Sequence, residues 1–408
     1  MATFNGGYAF KSEKLNTKSG YRVIRISDFD EQGINNKSVV RYEYDESLIE
    51  YTLKKSDLLM AMTGGTVGKT CKIKYLKEPS YLNQRVARIR TMSSTCNNYI
   101  FYVINSNFIK NIVNSSKNST NENISMETIR NFYIPLPPIQ EQERIVNKIE
   151  ELFALVDKIE KDQQELEELK KQAKDKVLEL AITGKLVKQD PNDEPASVLL
   201  NRIKAEKEKL IKEGKIKREK ADLEPISDDD KKYYENIPKS WTKAKLKSIC
   251  SKIVDGNHNP PRGVPYQTGF YMLSSQNIIN GAIIDLHKSR FLTEKQFIEE
   301  NKRTKLEIGD ILFTSVGSIG RSCVFNHKYY LCFQRSVSIL TTLINPYYVK
   351  LFLDAPEQQR LFNKEASGTA QKGFYLYQLS NVMINLPPLN EQSRIIEKYN
   401  SITTHLFY

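Results

Sequence analysis

Cysteine and histidine are both scarce in this chain of 408 residues, and neither is spaced as a metal site requires. The five cysteines are odd in number and contain no CxxC pair, which argues against a disulfide framework and a structural zinc site. The four histidines stand singly, without ligand spacing. We therefore expect this chain to bind no metal and no cofactor, and its cysteine usage suits a reducing compartment.

Long hydrophobic runs are also missing from the sequence. No stretch of about 18 apolar residues occurs, so the sequence predicts no membrane-spanning helix. The N-terminal residues lack the basic, apolar and small-residue order of a signal peptide. From these absences we expect a soluble, cytoplasmic protein.

Positive charge is what the chain has in excess. Its 61 Lys and Arg exceed its 49 Asp and Glu, which gives a net charge of +12 and a pI near 9.1. This balance favours a polyanionic partner such as nucleic acid, although many basic proteins bind none. A hydrophobic content of 39% is typical of globular proteins, and 408 residues predict two or three domains.

One long helix is predicted between two regions of mixed α/β character. Pro137 and Pro138 suit a first helical turn, and Gly184 suits the residue after a helix end. Between them, seam residues recur at alternating steps of three and four, which is the a/d pattern of a coiled coil. The seam residues are Ile145, Ile149, Leu152, Val156, Ile159, Gln163, Leu166, Lys170, Ala173, Val177 and Leu180. Such a helix would be roughly 70 Å long and would need a partner helix, and the alternative is an ordinary core helix.

The two halves of the chain repeat one another at an offset of about 250 residues. The matched segments share a proline pair before a helix, a glycine turn and single charged residues. They are residues 134–146 (IPLPPIQEQERIV) with 384–396 (INLPPLNEQSRII), 65–71 (GTVGKTC) with 317–323 (GSIGRSC), Asp57 with Asp310, and Arg85 with Arg335. The repeat predicts a tandem duplication of a globular domain followed by a helix.

The proline-led motif, its copy, and the segments GKLV (184–187) and DPNDEPA (190–196) together resemble the specificity subunit of type I restriction-modification systems. The resemblance implies an α/β (α+β) fold with two target-recognition domains in tandem, separated by long antiparallel coiled-coil-like helices. It implies that each domain reads one half of a bipartite double-stranded DNA site. The helices would dock methyltransferase (modification) subunits and restriction-translocase subunits, which carry the catalysis and the cofactors. The chain itself would be a non-catalytic DNA-binding subunit.

The resemblance divides the chain into five parts. They are target-recognition domain 1 (1–137), a central spacer helix (138–184), a charged helical linker (185–235), target-recognition domain 2 (236–387) and a second helix (388–408). Two departures from the family pattern are visible. The first domain opens at Phe4 without a counterpart of the strand expected within residues 238–249, and the second helix is shorter than the first.

Eight residues are candidates for DNA contact. They are Tyr8, Lys11, Lys69, Arg85, Asn259, Arg262, Arg321 and Arg335. Lys69 and Arg321 share one place on the glycine turn, where a cation can meet phosphate or a base. Arg85 and Arg335 each follow a glutamine, and a guanidinium there can reach guanine edges or phosphates. Recurrence of the same residue in both domains equally suits a structural role.

The other four candidates are unlike residues at like places. Tyr8 and Lys11 lie in a glycine-led loop that we match with the loop of Asn259 and Arg262. Domains that read different half-sites need different base-reading side chains. These four are therefore the better candidates for sequence readout.

Enzymatic motifs occur only as near misses. Residues 64–70 approach a phosphate-binding P-loop, but Thr63 replaces its first glycine and no helix is predicted after the loop. Residues 345–348 (NPYY) resemble the Asn-Pro-Pro-Tyr loop of amino-methyltransferases, with Tyr347 in place of the second proline. A nucleotide-binding enzyme that uses residues 64–70 stays one alternative. A coiled-coil interaction scaffold without DNA binding is the other.

An apolar stripe on the long helix is the candidate surface for partner chains. It consists of Leu166, Leu169, Val177 and Leu180. Residues 197–210, a methyltransferase subunit or a second copy of this chain are the possible sources of cover. We expect a partner chain or self-association, because residues 197–210 are dense in charge.

Overall fold

The computed structural model describes residues 2–92, 94–116, 123–216, 237–368 and 372–407. They belong to two compact units, Met1–Asp162 and Gln163–Tyr408. Within these described ranges, none of the helices combines the length and the apolar character that crossing a membrane requires. Residues 217–235 of the predicted linker lie outside the described ranges.

The first unit is built on an antiparallel sheet in the order β1-β9-β6-β7. A second sheet, β5-β2-β8, contains the parallel pair β2 and β8, and β3 pairs with β4. The strands are β1 (Ala2–Gly6), β2 (Tyr21–Ile24), β3 (Phe29–Asp30), β4 (Gly33–Ile34), β5 (Arg41–Tyr42), β6 (Leu58–Ala61), β7 (Thr70–Lys72), β8 (Ser80–Leu82) and β9 (Val86–Thr91). The helices are α1 (Ser94–Asn105), α2 (Asn107–Ser115), α3 (Met126–Arg130) and the first part of α4 (Ile139–Ile182).

The second unit begins within α4 and continues with further helices and strands. Its other helices are α5 (Ala196–Lys212), α6 (Leu246–Ile249), α7 (Glu294–Thr304), α8 (Pro346–Asp354), α9 (Pro356–Glu365), α10 (Leu376–Asn381) and α11 (Leu389–Phe407). Its strands are β10 (Thr242–Lys245), β11 (Cys250–Asp255), β12 (Phe270–Leu273), β13 (Ile278–Ile279), β14 (Ala282–Ile283), β15 (Arg290–Phe291), β16 (Ile311–Thr314), β17 (Ser322–Val324), β18 (Tyr330–Phe333), β19 (Val337–Thr342) and β20 (Met383–Leu386).

The two units repeat one strand order. The sheet β1-β9-β6-β7 corresponds to β11-β19-β16-β17, and β5-β2-β8 corresponds to β15-β12-β18. The register agrees as well, since Leu58 lies opposite Ile89 while Ile311 lies opposite Leu340. The predicted α/β class, with two repeated domains and a long helix between them, is confirmed. The second unit adds a pair of strands, β10 with β20.

One inner strand of each main sheet, β6 in the first unit and β16 in the second, is buried on both faces; we call it the central strand. In β6, Leu58 faces the core that contains side chains of α1 to α3, while Leu59 faces the core shared with β2 and β8. In β16, Ile311 and Leu312 divide between two cores in the same way. Because side chains alternate along a strand, a strand between two cores reads as a continuous apolar run.

A buried aspartate precedes each central strand. The carboxylate of Asp57 pairs with the guanidinium of Arg90 at 2.6 Å and accepts the backbone N–H of Lys54 at 2.8 Å. The carboxylate of Asp310 pairs with the ammonium of Lys252 at 3.1 Å and also accepts a backbone N–H three residues back. The repeated aspartate therefore holds a turn and neutralises a cation from another strand of the same sheet.

A glutamine in the first turn of α4 and α11 ties each helix to its domain. The amide Nε2 of Gln142 donates to the carbonyl of Pro137 at 2.8 Å, and Nε2 of Gln392 donates to the carbonyl of Pro387 at 3.0 Å. Both glutamine side chains are buried. A buried amide without a partner is costly, so this bond holds the helix start in place against the chain before it.

A tyrosine fixes the segment that leads into each of these helices. The hydroxyl of Tyr99 donates to the carbonyl of Pro135 at 2.7 Å, and the hydroxyl of Tyr348 donates to the carbonyl of Asn385 at 2.6 Å. Burial raises the pKa of both phenols. The phenols therefore stay protonated and able to donate.

Helix α4 is buried only towards its two ends. Near its start Val146 packs into the first unit, and near its end Leu178, Ala181 and Ile182 pack into the second. All positions from 150 to 169 are exposed. The helix closes on Gly184, whose φ of +73° is the left-handed conformation that favours glycine after a helix end.

The packed face at the end of α4 differs from the predicted seam. Leu178, Ala181 and Ile182 are buried, whereas the seam residues Val177 and Leu180 are only partly buried. Helix α5 contributes Ala196, Leu199 and Ile203 to the same core. Helix α5 thus shares a core with the last turns of α4, because its few apolar residues lie on one helical face. Leu166 and Leu169 are exposed.

Five side chains in the second unit form a polar cluster that we call the latch: Glu391, Arg394, Trp241, Gln189 and Asp193. The buried carboxylate of Glu391 accepts the indole N–H of Trp241 at 2.9 Å and the amide of Gln189 at 2.5 Å. The guanidinium of Arg394 pairs with Asp193 at 2.5 Å. The latch therefore fastens the start of α11 to the loop after α4 and to the residue before β10.

The pKa values of the two latch carboxylates are shifted in opposite directions by their surroundings. Burial raises the pKa of Glu391, although the bonds from Trp241 and Gln189 oppose that rise. The hydrogen bond from Arg394 lowers the pKa of Asp193. Ionisation of Glu391 thus lowers the free energy of unfolding, whereas ionisation of Asp193 raises it.

We expect the free energy of unfolding of the second unit to fall as pH rises through the raised pKa of Glu391. Between the ordinary glutamate pKa, about 4.5, and the raised value, the folded state keeps a proton that the unfolded state has lost. The variant Glu391→Gln lacks this dependence. Urea unfolding followed by the fluorescence of Trp241, the one tryptophan of the chain, measures the difference. The control is Glu397→Gln, an exposed carboxylate on the same helix, and parallel pH profiles for wild type and Glu391→Gln would refute the assignment.

Candidate nucleic-acid interface

Three loops meet at one end of each main sheet. In the first unit β1 ends opposite the start of β9, since Gly6 faces Ala87, and β6 ends there too, since Ala61 faces Val86. In the second unit Asp255 faces Ser338 in the same way. We call this the loop end of each unit. It comprises residues 7–11, 62–69 and 83–85 in the first unit and residues 256–262, 315–321 and 334–336 in the second.

All eight predicted DNA-binding residues lie at the loop ends. The first unit carries four of them and the second unit the other four, and they are Tyr8, Lys11, Lys69 and Arg85, then Asn259, Arg262, Arg321 and Arg335. Six of them are exposed, whereas Tyr8 and Lys69 are partly buried. Residues far apart in sequence are thus brought together by the antiparallel ladder, and the loop ends are the candidate interface.

A glycine lets the first loop approach the third. A Cβ on Gly7 would lie 2.2 Å from the carbonyl oxygen of Asn83, and a Cβ on Gly256 would lie 2.3 Å from that of Gln334. The backbone N–H of Tyr8 donates to Leu82 O at 2.9 Å in this close contact. Only glycine permits so near an approach of two backbones.

The backbone register corrects the predicted match of Arg85 with Arg335. Gln84 donates its N–H to Tyr8 O, and the residue that makes the same bond in the second unit is Arg335, to Asn257 O. Arg335 therefore corresponds to Gln84, and Arg85 corresponds to Ser336. Identical letters fall one residue out of register because ladder hydrogen bonds, and not residue identity, set the alignment.

Within the matched glycine-led loops, the residue that corresponds to Tyr8 is Asn257, two residues before Asn259. Tyr8 and Asn257 each follow the close-contact glycine and make the same two backbone bonds. The ring of Tyr8 packs against the rings of Phe10 and Tyr51, with 5.1 Å and 5.5 Å between the ring centroids. The amide of Asn257 donates to the carbonyl of Glu300. Equivalent positions in the two loops thus carry unlike side chains, as expected.

Lys69 and Arg321 occupy the equivalent position that the sequence predicted. Ala61 donates its N–H to Lys69 O at 2.8 Å, and Thr314 donates to Arg321 O at 2.9 Å. The ammonium of Lys69 donates to Ile26 O at 2.8 Å and lies 5.1 Å from the ring of Phe29. Lys69 therefore holds its turn in place, while Arg321 is exposed and makes a longer bond of 3.4 Å to a backbone carbonyl.

The same geometry removes the P-loop interpretation of residues 64–70. Strand β7 follows this turn directly, so no helix N-terminus presents its amides to a phosphate. The ammonium of Lys69 is bound to a backbone carbonyl. The alternative of a nucleotide-binding enzyme that uses this loop is therefore not supported.

Two basic residues were not among the predicted candidates: His258 of the second loop end and Arg303, which lies beside it. Burial raises the pKa of Asp255, whose carboxylate accepts the hydroxyl of Ser338 at 2.8 Å and lies in the field of His258, Arg303 and Arg335. Arg303 lies on α7 and donates to the backbone carbonyl of Asp255 at 3.0 Å. His258 sits in the glycine-led loop. Only the fold brings α7 to this loop, so spacing along the chain gave no signal.

Thiol and metal chemistry find no support among the described residues. The thiols of Cys71, Cys250, Cys323 and Cys332 are buried, and burial raises the pKa of each to about 12. A thiol with such a pKa stays protonated and is a poor nucleophile. No group of three or more His, Cys, Asp or Glu in the described ranges is placed to hold a metal ion.

We expect Gly7→Ala to lower the free energy of unfolding of the first unit by about 1 to 3 kcal/mol, because the new methyl group overlaps a backbone oxygen. Gly6→Ala is the matched control, since its Cβ would meet only Met126, at 3.6 Å. Amide hydrogen exchange in β1 and β9 measures the first unit separately from the second. Equal effects of the two substitutions would contradict the close-contact role of Gly7.

Comparisons with known proteins agree with this geometry. The family model described as the type I restriction modification DNA specificity domain matches residues 1–171 and 238–404. The type I restriction enzyme EcoBI specificity subunit of Escherichia coli is 24% identical over 409 residues, covering 98% of this chain and 77% of that subunit. The EcoAI specificity subunit of Escherichia coli is 39% identical over 157 residues, covering 28% of this chain and 26% of that subunit.

Two solved structures share the fold. A chain from a study of complex assembly and conformational transition of the type I R-M system has a TM-score of 0.57 at 18% identity, covering 95% of this chain and 84% of that one. The HsdS subunit from Thermoanaerobacter tengcongensis has a TM-score of 0.52 at 17% identity, covering 95% and 83%. The chain therefore belongs to the type I restriction modification DNA specificity family, whose domain it carries twice.

Proposed function

We propose that this chain is the sequence-reading subunit of a type I restriction-modification complex and that each loop end reads one half of a bipartite DNA site. The observation that carries the proposal is the duplicated fold, in which one strand order presents two different sets of loop side chains. Residues 1–137 and 236–387 are the proposed target-recognition domains. The chain performs no catalysis of its own in this proposal.

The backbone register supports a division of roles: the backbone of the loops is the same in both units, while the side chains that it presents differ and are the ones proposed to read DNA. The backbone bonds that join the first and third loops recur in both units, and so does the close-contact glycine. The side chains that this frame presents differ, since Arg85 stands where the second unit has Ser336, and Arg335 stands where the first has Gln84. Base edges are read by side chains, and different half-sites need different side chains.

The exposed part of α4 is the proposed contact surface for the other subunits. Large apolar side chains are about half exposed along this stretch, which is unusual for a helix of a soluble protein without a partner. They are Leu152, Phe153, Leu155, Val156, Ile159, Leu166 and Leu169. We assign this surface to methyltransferase and restriction subunits, which would supply the cofactors, or to self-association. Val177 and Leu180, at the edge of the second unit, are the proposed limit of the surface.

The proposal places the complex in the cytoplasm, where its DNA substrate is. The net charge of +12 supports a polyanionic ligand. A coiled-coil scaffold without DNA binding would use neither that charge nor the exposed cations of the loop ends. Binding of DNA therefore separates the two functions.

We expect Arg85→Gln and Arg335→Gln each to weaken binding of the full chain to a random-sequence duplex and to flatten its salt dependence. Removal of one phosphate contact should reduce the slope of log K against log salt by about 0.9. The matched control is Lys55→Gln, an exposed cation just before β6 and thus at the opposite end of the sheet from the loop end. Fluorescence anisotropy over a series of salt concentrations measures the slopes.

Slopes and affinities that are both equal for the two arginine variants and the control would contradict the assignment of these arginines to the interface. Binding that does not change with salt in the wild-type chain would contradict DNA recognition itself. A changed affinity with an unchanged slope would point to base contact, because base contacts release no counterions.

A further inference from the structure

The residues where the three loops join the sheet differ in chemistry between the two units, and we call them the floor of each loop end. The floor of the second unit consists of Asp255, Thr314, Ser315 and Ser338, and the residues at the equivalent register positions of the first unit are Gly6, Ala61, Met62 and Ala87. The second floor carries three hydroxyl groups and a carboxylate, and the first carries none. That difference is the basis of the inference.

Three side chains of the second floor form a hydrogen-bonded series that we call the hydroxyl chain: Ser315, Ser338 and Asp255. The hydroxyl of Ser338 donates to Oδ1 of Asp255 at 2.8 Å, and Oγ of Ser315 lies 2.9 Å from Oγ of Ser338. A hydroxyl has one proton, and that of Ser338 goes to the carboxylate, so Ser315 is the donor in the second bond. Ser338 is 0% exposed and Ser315 is 2% exposed, so water does not compete for these bonds.

The hydroxyl chain joins all three loops of the second loop end. Asp255 precedes the first loop, Ser315 begins the second, and Ser338 follows the third. The backbone adds a further bond between the second and third loops, since the N–H of Ser315 donates to Ser336 O at 2.9 Å. A buried hydroxyl without a partner is costly, so the three loops are held to one another at their bases.

The fourth side chain of the second floor fixes the second loop itself. Oγ1 of the buried Thr314 accepts the N–H of Arg321 at 2.9 Å and donates to the carbonyl of Ser318. The first unit has Ala61 at this place, and the ammonium of Lys69 holds its turn instead. The two loop ends therefore differ in what holds their loops as well as in the side chains that they expose.

Cations of the second loop end and of α7 lie close to Asp255. His258, Arg303 and Arg335 are in the field of its carboxylate, and Arg303 also donates to its backbone carbonyl at 3.0 Å. Because the hydroxyl of Ser338 holds the carboxylate on its buried side, the negative charge has a fixed place beside these cations. The hydroxyl chain thus connects the buried floor with side chains that are candidates for DNA contact.

We propose that Asp255, Ser338 and Ser315 are positioning residues, which hold the second loop end in the shape that reads its half-site. This inference rests on the proposed function, since it concerns how one loop end reads DNA. Loops that are ordered before binding lose less conformational entropy on binding, and they hold their side chains where the correct bases can be contacted. The first floor lacks these groups, so loss of the hydroxyl chain affects one half of the recognised sequence.

The test is to select bound DNA from a pool of random-sequence duplexes with the full chain and to sequence what is bound. Ser338→Ala removes the middle of the hydroxyl chain and introduces the residue that the first unit has at this place, Ala87, so the fold should tolerate it. We expect one half of the selected sequence to broaden, with a loss of about tenfold in discrimination, because a good base contact contributes on the order of tenfold. The other half should stay the same.

The matched control is Thr341→Val, which removes another hydroxyl-to-aspartate bond, from Thr341 to Asp310, at the opposite end of the same strand. It should leave both halves of the selected sequence unchanged. A second pair of variants tests the acceptor. Asp255→Asn keeps an oxygen that can accept from Ser338, whereas Asp255→Ala does not, so the asparagine variant should keep the base preference that the alanine variant loses.

Four outcomes would overturn the inference. They are an unchanged sequence preference in Ser338→Ala, broadening of both halves, equal broadening in Ser338→Ala and Thr341→Val, and equal broadening in Asp255→Asn and Asp255→Ala. A wild-type chain that selects no sequence would overturn the proposed function and this inference with it. The two failures are therefore distinguishable.

Discussion

The hydrogen bond from the first-turn glutamine to the prolyl carbonyl is the constraint on which the arrangement of each domain and its helix depends. Gln142 and Gln392 make it in the two units, and both are buried, so the bond cannot be exchanged for water without loss. The tyrosine bond to the preceding segment, from Tyr99 or Tyr348, fixes the same junction from the other side. The direction in which each helix leaves its domain is thereby set by a few buried polar contacts, used twice.

Within each domain, the buried strands that hold the fold are separate from the loops that are proposed to read DNA. The central strands β6 and β16 are held between two cores, and the aspartates before them fix their starts. Their far ends carry the loops, where a glycine brings two backbones together and leaves the side chains outside. A domain built in this way can change its loop residues with little effect on its core.

Much of the fold was predictable, because the repeat of the two halves and the proline and glycine residues at the ends of a helix can be read directly from the sequence. Helix α4 starts at Ile139, directly after the proline pair, and ends at Ile182, just before Gly184. The structural equivalence of Lys69 and Arg321 was predictable from a glycine turn that occurs in both halves of the chain. The match of Arg85 with Arg335 failed because a two-letter match cannot set the register of a strand. The tether of Lys69 to Ile26 and the approach of Arg303 to Asp255 depend on contacts distant in sequence, which no local pattern reveals.

The central claim is that each domain reads its own half-site through its own loop end. Its most direct test is to replace residues 236–387 with the matching domain of a relative, express the chain with its partner subunits, and sequence the methylated sites of the cell. The account predicts that one half of the recognised sequence changes while the other half stays the same. A change in both halves would contradict it.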